Sequence, residues 1–562
     1  MTHRHCVTVV KARGRGEPRW GTERRSTVSD LARVERSGGC LGWWTLALLL
    51  GGWLILGIAC REAGDDAART LVMAVETPPV TFDPRGPTNS ETAHIQQLIF
   101  HTLVRTNERF EIVPELADRW EVDQAQRTYT FHLRSGITFH DGRELTARDV
   151  AYTFNSLIAP QFDSPKRAAF SKLDRVEAVD AHTVVFHCRE RYPGLLVDLL
   201  AVGIIPEGSG ETIAEHPIGT GPFRFERYIE SQQVDVRAFP EAFGGGPGVD
   251  RLTIRIIRDP TTLSLELLSG TVQLAFNTRL SPDFVEEQRR SGALKVIIAD
   301  GASIEYLVLN TTDPILSDRR VRQAIAYALD RRAIIESLFR GQAREAATIL
   351  PPGHWAYHPG VRHYDYNPRR AEQLLDAAGY PDPDGPGPAP RFHLTLKTSS
   401  AEQAREVATI MQEQLRRVGI ALDLQSFELQ TYLNDLNRGQ FQIGYLRLPG
   451  ANRFVDIFKA AFGSRSIPFD PRVSERERTG FLNRARYRNP TLDELIAAAE
   501  ATSDRQEQIR LYARIQEILA EDVPWIYLWY PANVAVMSPR VKNAHIPTSA
   551  DFTFIKDLTL AP

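Results

Sequence analysis

The sequence predicts an α/β fold with mixed sheets, and three observations carry that expectation. Residues 392–396, a helical stretch over 402–418 closed by Gly419, and residues 420–424 make a strand–helix–strand unit, which implies a parallel pair. Residues 129–133 alternate apolar and polar side chains, the period of a half-buried strand. Over 319–339, Val321, Ala324, Ile325, Ala328, Leu329 and Ile335 recur at three- and four-residue steps, the period of an amphipathic helix.

Taken in order, residues 1–37 are a polar, arginine-rich extension set apart from the fold. Residues 38–59 hold the apolar segment, nineteen uncharged residues over 41–59 behind a basic stretch with Arg33 and Arg36. That layout is an export signal. It ends Leu56-Gly57-Ile58-Ala59-Cys60, which resembles a bacterial lipobox and makes Cys60 the expected lipidation site and mature N-terminus. A plain membrane span is the alternative, since nineteen apolar residues can cross a bilayer; both place the body outside the cytoplasm.

After a polar tether at 61–69, the apolar run 71–75 before Pro78 and Pro79 reads as a buried strand. Phe139-His140-Asp141-Gly142 reads as a strand and an Asp-Gly turn leading to a helix capped by Thr146. His140 and Asp141 lack a third group that would make them an acid/base pair, so they are read as architecture. The glycine run 244–248 lacks the Lys-Ser/Thr of a phosphate cradle and reads as a turn between strands. Asn367 caps a helix that starts at Pro368, turns Leu374 and Leu375 inward and stops at Gly379. The Pro/Gly-rich stretch 381–390 is a loop. Ser503, spaced three residues from Gln506, forms a capping box for a last helix running to about Ala520.

Composition excludes several functions. A chain of 562 residues, 43% hydrophobic and 24% charged, can bury a large core and divide into domains. Its net charge of −3 is uneven: residues 1–59 carry 9 Lys+Arg against 4 Asp+Glu, so the remainder is −8. An acidic body argues against a nucleic-acid partner, which needs a basic stripe. Cys6, Cys40, Cys60 and Cys188 are too few and too scattered for a disulfide framework or a zinc cluster, and Cys188 is expected to be a buried small hydrophobe. His354, His358 and His363 cluster around Pro359 and Gly360, in a loop and not on a helix face, so no metal site is expected. A nucleophile elbow, a zinc-protease helix, a P-loop and a dinucleotide fingerprint are all missing, so neither an enzyme nor a cofactor is expected.

Residues 117–150 read ADRWEVDQAQRTYTFHLRSGITFHDGRELTARDV. Ala117, Trp120, Tyr129, Phe131, Leu133, Arg134, Gly136, Phe139, Asp141, Gly142, Thr146, Ala147 and Val150 in this stretch resemble the signature of the family 5 extracellular solute-binding proteins, which serve peptide, oligopeptide and nickel ABC importers. Pro217-Ile218-Gly219-Thr220-Gly221-Pro222-Phe223 is similar to the family's GTGPF turn. The run from Val321 to Arg331 is similar to its VRQA helix, and Pro524-Trp525-Ile526-Tyr527 fits as well.

The resemblance implies a two-lobed periplasmic-binding-protein fold of the large, three-subdomain type, hinged around its ligand. Mapped onto this chain, the main lobe takes 60–106, 216–303 and 523–562, with an inserted subdomain at 107–215, and the second lobe takes 304–522. It further implies an extracytoplasmic, lipid-anchored and monomeric subunit that binds a peptide or peptide-like solute and delivers it to ABC permease subunits. Nickel or metal-chelate binding, and a structural or signalling lipoprotein without transport, are the alternatives. Thr88, Asn89 and Ser90 are the expected ligand strip of the first lobe. In the second lobe the corresponding segment is 441–464, with Arg447, Leu448, Pro449, Gly450, Ala451, Asn452 and Arg453 at the ligand. Family members that bind a free peptide amine commonly place an aspartate in this loop, where this chain aligns Ala451 or Asn452. The expected ligand is therefore neutral or anionic there, with the alternative that both arginines face solvent and Asp456 or another acid pairs with an amine.

Overall fold

The structure is a computed structural model that describes residues 69–561 apart from 386, 451, 452, 475–477 and 503. Cys60 and the apolar segment before it lie outside the described residues. Among the described residues no helix is long and apolar enough to cross a membrane.

Three sheets organise the chain. Thr70–Val75, with no exposed position as an apolar run demands, lies in the middle of a seven-stranded mixed sheet. The order is Lys295–Ala299, Asn533–Met537, Leu274–Phe276, Thr70–Val75, Arg251–Ile256, Gln233–Ala238 and Phe223–Ile229. Thr70–Val75 runs parallel to both of its neighbours, and the other pairings are antiparallel. A four-stranded antiparallel sheet follows the order Ala117–Val122, Thr128–Leu133, Thr183–Cys188 and Leu173–Ala178. Its two central strands bury every second residue, so Phe131 and Phe186 meet with ring centroids 5.2 Å apart and Phe186 reaches Phe154 of helix Ala147–Ile158 at 5.0 Å. Cys188 is buried and reduced there, and burial pushes its thiol up to about 11.

The third sheet has six strands in the order Ala343–Glu345, Trp525–Pro531, Ile304–Leu309, Ile443–Leu448, Phe392–Ser399 and Ile420–Phe427. Phe392–Ser399 and Ile420–Phe427 pair in parallel through helix Glu402–Arg416, the unit expected from sequence. Asn367 caps Pro368–Ala377 by accepting from the Arg370 N–H at 3.0 Å. Asp149 accepts from the Thr146 N–H at 2.8 Å and from its hydroxyl at 2.9 Å, which fixes the start of the helix at Ala147.

Three expectations are corrected. The helical period over 319–339 belongs to two helices, Arg319–Ala328 and Arg331–Phe339, because Leu329 is extended and the Asp330 carboxylate caps the second by accepting from the Ala333 N–H at 2.9 Å. The last helix, Arg505–Asp522, is capped by Asp504, which accepts from the Gln506 N–H at 2.9 Å; Ser503 lies outside the described residues. Residues 139–142 form the turn but no strand, and only a single bridge joins Thr138 to Glu144. Trp525–Pro531 pairs with Ile304–Leu309 in the six-stranded sheet, and Asn533–Met537 joins the seven-stranded sheet.

The sequence motifs have mechanical roles. Cβ atoms on Gly219 and Gly221 would stand 2.0 Å from Ile99 O and 2.5 Å from Ile99 C, so only glycine lets this turn press against the end of helix Ser90–Ile99. His140 accepts from the Gly219 N–H through Nδ1 at 3.2 Å and donates from Nε2 to Gly221 O at 3.0 Å, which spends both ring nitrogens on that turn. Arg322 donates to the carbonyls of Leu316 (2.7 Å), Ser317 (3.0 Å) and Val523 (3.1 Å), and from Nε to Asp522 O at 2.9 Å. It thereby ties helix Arg319–Ala328 to the end of Arg505–Asp522.

Candidate functional site

Thr70–Val75 runs parallel to both of its neighbours, and in an open α/β sheet ligands bind beyond the carboxyl ends of such strands. Thr88 and Ser90 are exposed and Asn89 is half-buried at the start of helix Ser90–Ile99. Asn89 is committed to the backbone: its Oδ1 accepts from the Thr92 N–H at 2.7 Å and its Nδ2 donates to Pro78 O at 3.0 Å. One turn on, His94 stacks on Phe552 with centroids 4.5 Å apart, and burial lowers it to about 4 against the opposing pull of Glu91 and Asp551.

The second-lobe loop leaves strand Ile443–Leu448. Arg447 is exposed, Leu448 is buried and Pro449 is exposed; Gly450 takes φ 82°, and Ala451 and Asn452 lie outside the described residues. The two flanking arginines part company. Arg453 reaches back to the first lobe, donating from Nη1 to Ser549 O at 3.0 Å and from Nε to Gly450 O at 3.0 Å. Arg447 pairs across the sheet with Glu305, which is buried, donated to by Trp529 Nε1 at 3.0 Å and by the Tyr445 hydroxyl. Burial raises Glu305 and the Arg447 charge opposes the rise. Arg447 lines a cavity of about 130 Å³ with Asn277 and Thr278 of the first lobe, Gln342 of the second, and Pro531 and Ala532 where the chain crosses between them.

Acids sit where residues of the inserted subdomain meet the second lobe. Asp456 is exposed, and desolvation together with the Glu500 carboxylate raises it; Lys459, whose charge opposes this, is paired with Glu500 at 2.8 Å. Asp198 of the inserted subdomain accepts from the Tyr192 hydroxyl at 2.5 Å, and burial first, then the Asp456 charge, push it up to about 6. Arg191 bridges the same gap, donating to Glu500 O at 2.9 Å. Sequence reasoning missed His94, Asn277, Thr278, Asp198 and Asp551, and the only available signal was that Asn277 and Thr278 directly follow a strand. Among the described residues no three His, Cys, Asp or Glu side chains are placed to hold a metal. His354 is spent on backbone groups, and His358 lies 3.4 Å from Glu517 at the surface.

The family profile described as "Bacterial extracellular solute-binding proteins, family 5 Middle" matches residues 111–460. Haem-binding protein A of Haemophilus influenzae is 28% identical over 521 residues, covering 86% of this chain and 91% of that protein. The oligopeptide-binding protein AppA of Bacillus subtilis is 26% identical over 522 residues, covering 89% and 92%. The structure of AppA in complex with a nonapeptide superposes with a TM-score of 0.67, covering 88% of this chain and 99% of AppA. HbpA2 of Haemophilus parasuis, 23% identical, shares the fold with a TM-score of 0.76 over 88% of this chain and 100% of that one.

Proposed function

We propose, from the premise that this chain belongs to the family 5 bacterial extracellular solute-binding proteins, that it is the solute-binding subunit of an ABC importer. It is anchored outside the cytoplasm through a lipid on Cys60 and takes a peptide or peptide-like solute between its lobes. The observation that carries the reading is the cavity at the crossing, because Asn277 and Thr278 of one lobe and Arg447 and Gln342 of the other face the same space. A solute there gains contacts from both lobes only when they are together, which is what lets binding shift a two-state equilibrium. The guanidinium of Arg453 is already occupied by carbonyls, so Arg447 is the arginine assigned to a carboxylate or other acceptor group of the solute, and the region around 451–453 meets a neutral part.

A second reading is favoured by Asp456, an exposed acid raised by its surroundings, to which a solute ammonium group would supply a partner. Calorimetric titration with di- and tripeptides and their N-acetylated counterparts separates the two. Binding that tolerates acetylation and is lost in Arg447→Ala supports the first. Binding abolished by acetylation and by Asp456→Asn assigns the amine to Asp456 and refutes it. Fatty-acid labelling of cells tests the anchor: label must appear in the parent and vanish in Cys60→Ala.

A further inference from the structure

Strands Val104–Thr106 and Ile112–Pro114 form a hairpin whose turn carries Phe110 at φ 60°, yet only 2% exposed. A bulky residue in the left-handed region persists only where packing holds it there. The packing comes from the other lobe. The Phe110 ring stacks on His354 with centroids 5.7 Å apart and planes 15° apart, and Trp355 N–H donates to Arg109 O at 3.1 Å. The Arg505 guanidinium covers the Trp355 ring 3.8 Å from its centroid.

His354 is 3% exposed and uses both nitrogens. Its Nδ1 accepts from the Ala356 N–H at 3.0 Å, which assigns the proton to Nε2, and Nε2–H donates to Arg453 O at 3.1 Å. Burial lowers its pKa to about 4, so this neutral tautomer holds across neutral pH. The Arg453 side chain then returns to Ser549 O of the first lobe. Contacts thus run from the first-lobe hairpin to His354, on to the main chain of the solute-facing loop, and back to the first lobe.

We infer that Phe110 and His354 form an inter-lobe clasp that positions the main chain at Arg453, so that solute affinity depends on two residues outside the solute cavity. This rests on the reading that the 447–453 loop meets the solute. His354 is a positioning residue: its stack with Phe110 fixes the ring plane, and the ring fixes the loop carbonyl.

The test is hydrogen–deuterium exchange of the unliganded full chain, read on peptides covering 448–458, for the parent, Phe110→Ala, His354→Ala and His354→Gln. Loss of one buried hydrogen bond corresponds to a change of about five- to tenfold in local opening. Phe110→Ala and His354→Ala should each speed exchange in this loop by that factor while the strands at 304–309 and 70–75 exchange as before. His354→Gln, whose amide nitrogen can replace Nε2–H, should recover most of the protection. Parent-like exchange in Phe110→Ala, or equal exchange in the Ala and Gln variants, overturns the clasp. Should His354→Ala fail to fold, Phe110→Ala and His354→Gln decide alone. Titration with trialanine is the second arm, with affinity expected to fall in Phe110→Ala by the factor seen in exchange. If the parent does not bind trialanine, that result counts against the peptide reading, and the exchange result still judges the clasp.

Discussion

Gly301 lies where the chain first crosses from the seven-stranded to the six-stranded sheet, between Lys295–Ala299 and Ile304–Leu309. A Cβ there would stand 2.0 Å from Pro531 O, 3.2 Å from Pro531 C and 3.3 Å from Asn533 Oδ1, all on the second crossing. Ordinary contact begins near 3.4 Å, so Gly301→Ala requires the two crossings to part by about 1.4 Å. The neighbours resist: Asn533 Nδ2 donates to Pro547 O at 2.7 Å, and its Oδ1 accepts from Asn277 Nδ2 at 3.0 Å. Overpacking costs about 1–3 kcal/mol, and a clash between two backbones belongs at the upper end. With about 2 cal/mol/K of unfolding entropy per residue over about 500 residues, 2–3 kcal/mol lowers the midpoint by about 2–3 °C. Scanning calorimetry of Gly301→Ala against the parent measures this directly. A midpoint within about 0.5 °C of the parent would refute the claim that the crossings are pressed together at this glycine.

Arg322→Lys keeps the charge but loses the guanidinium fork that serves several carbonyls, and urea unfolding should show a loss of about 2–4 kcal/mol with an unchanged slope. Asp198 is raised to about 6 in the fold from an ordinary 3.8, so the folded state holds its proton more tightly than the unfolded. Its contribution is neutral below about pH 4 and turns unfavourable as pH rises through about 6, so Asp198→Asn should stabilise by about 1–3 kcal/mol at pH 7.5 and not at pH 4 in paired urea melts. The ion pair between Arg340 and Asp283 spans the lobes at 2.6 Å but is exposed at both ends, so small-angle scattering of the unliganded protein should give the same radius of gyration at low and at high salt; expansion at high salt would show that this pair holds the lobes together.

Local chemistry was legible where one short stretch decides the outcome. Asn367 before Pro368 dictates a helix start, and the strand–helix–strand unit at 392–427 dictates a parallel pair, because the signals and the structures they specify span the same few residues. The break between Arg319–Ala328 and Arg331–Phe339 was hidden because both halves keep the helical period, and only the Asp330 cap marks the boundary. Trp525–Pro531 is buried at nearly every position, so its sequence carries no alternation to say which sheet it joins. At the site, Arg447 and Arg453 look equivalent in sequence. Their difference is set by Ser549, 96 residues from Arg453, and by Asn277 and Thr278, which reach the cavity only through the topology of the first sheet.

On the proposed function, the chemistry of the junction bears on how the lobes would respond to a solute. Among the described residues, the contacts joining them include single hydrogen bonds to backbone carbonyls: Arg453 to Ser549, Arg191 to Glu500, Trp355 to Arg109 and Gln342 to Pro282. When the lobes part, each carbonyl and each donor can be taken up by water, so separation strands no buried charge, unlike the opening of a desolvated ion pair. The neutral Trp355 and Gln342 bonds contribute about 0.5–1.5 kcal/mol net each, and the charged arginine bonds somewhat more. The Phe110–His354 stack adds the apolar term, and the mutual charge of Asp198 and Asp456 opposes their approach. On the proposed function, small terms of opposite sign would keep an open and a closed arrangement close in free energy, and a solute touching Arg447 and Asn277 together would tip the balance.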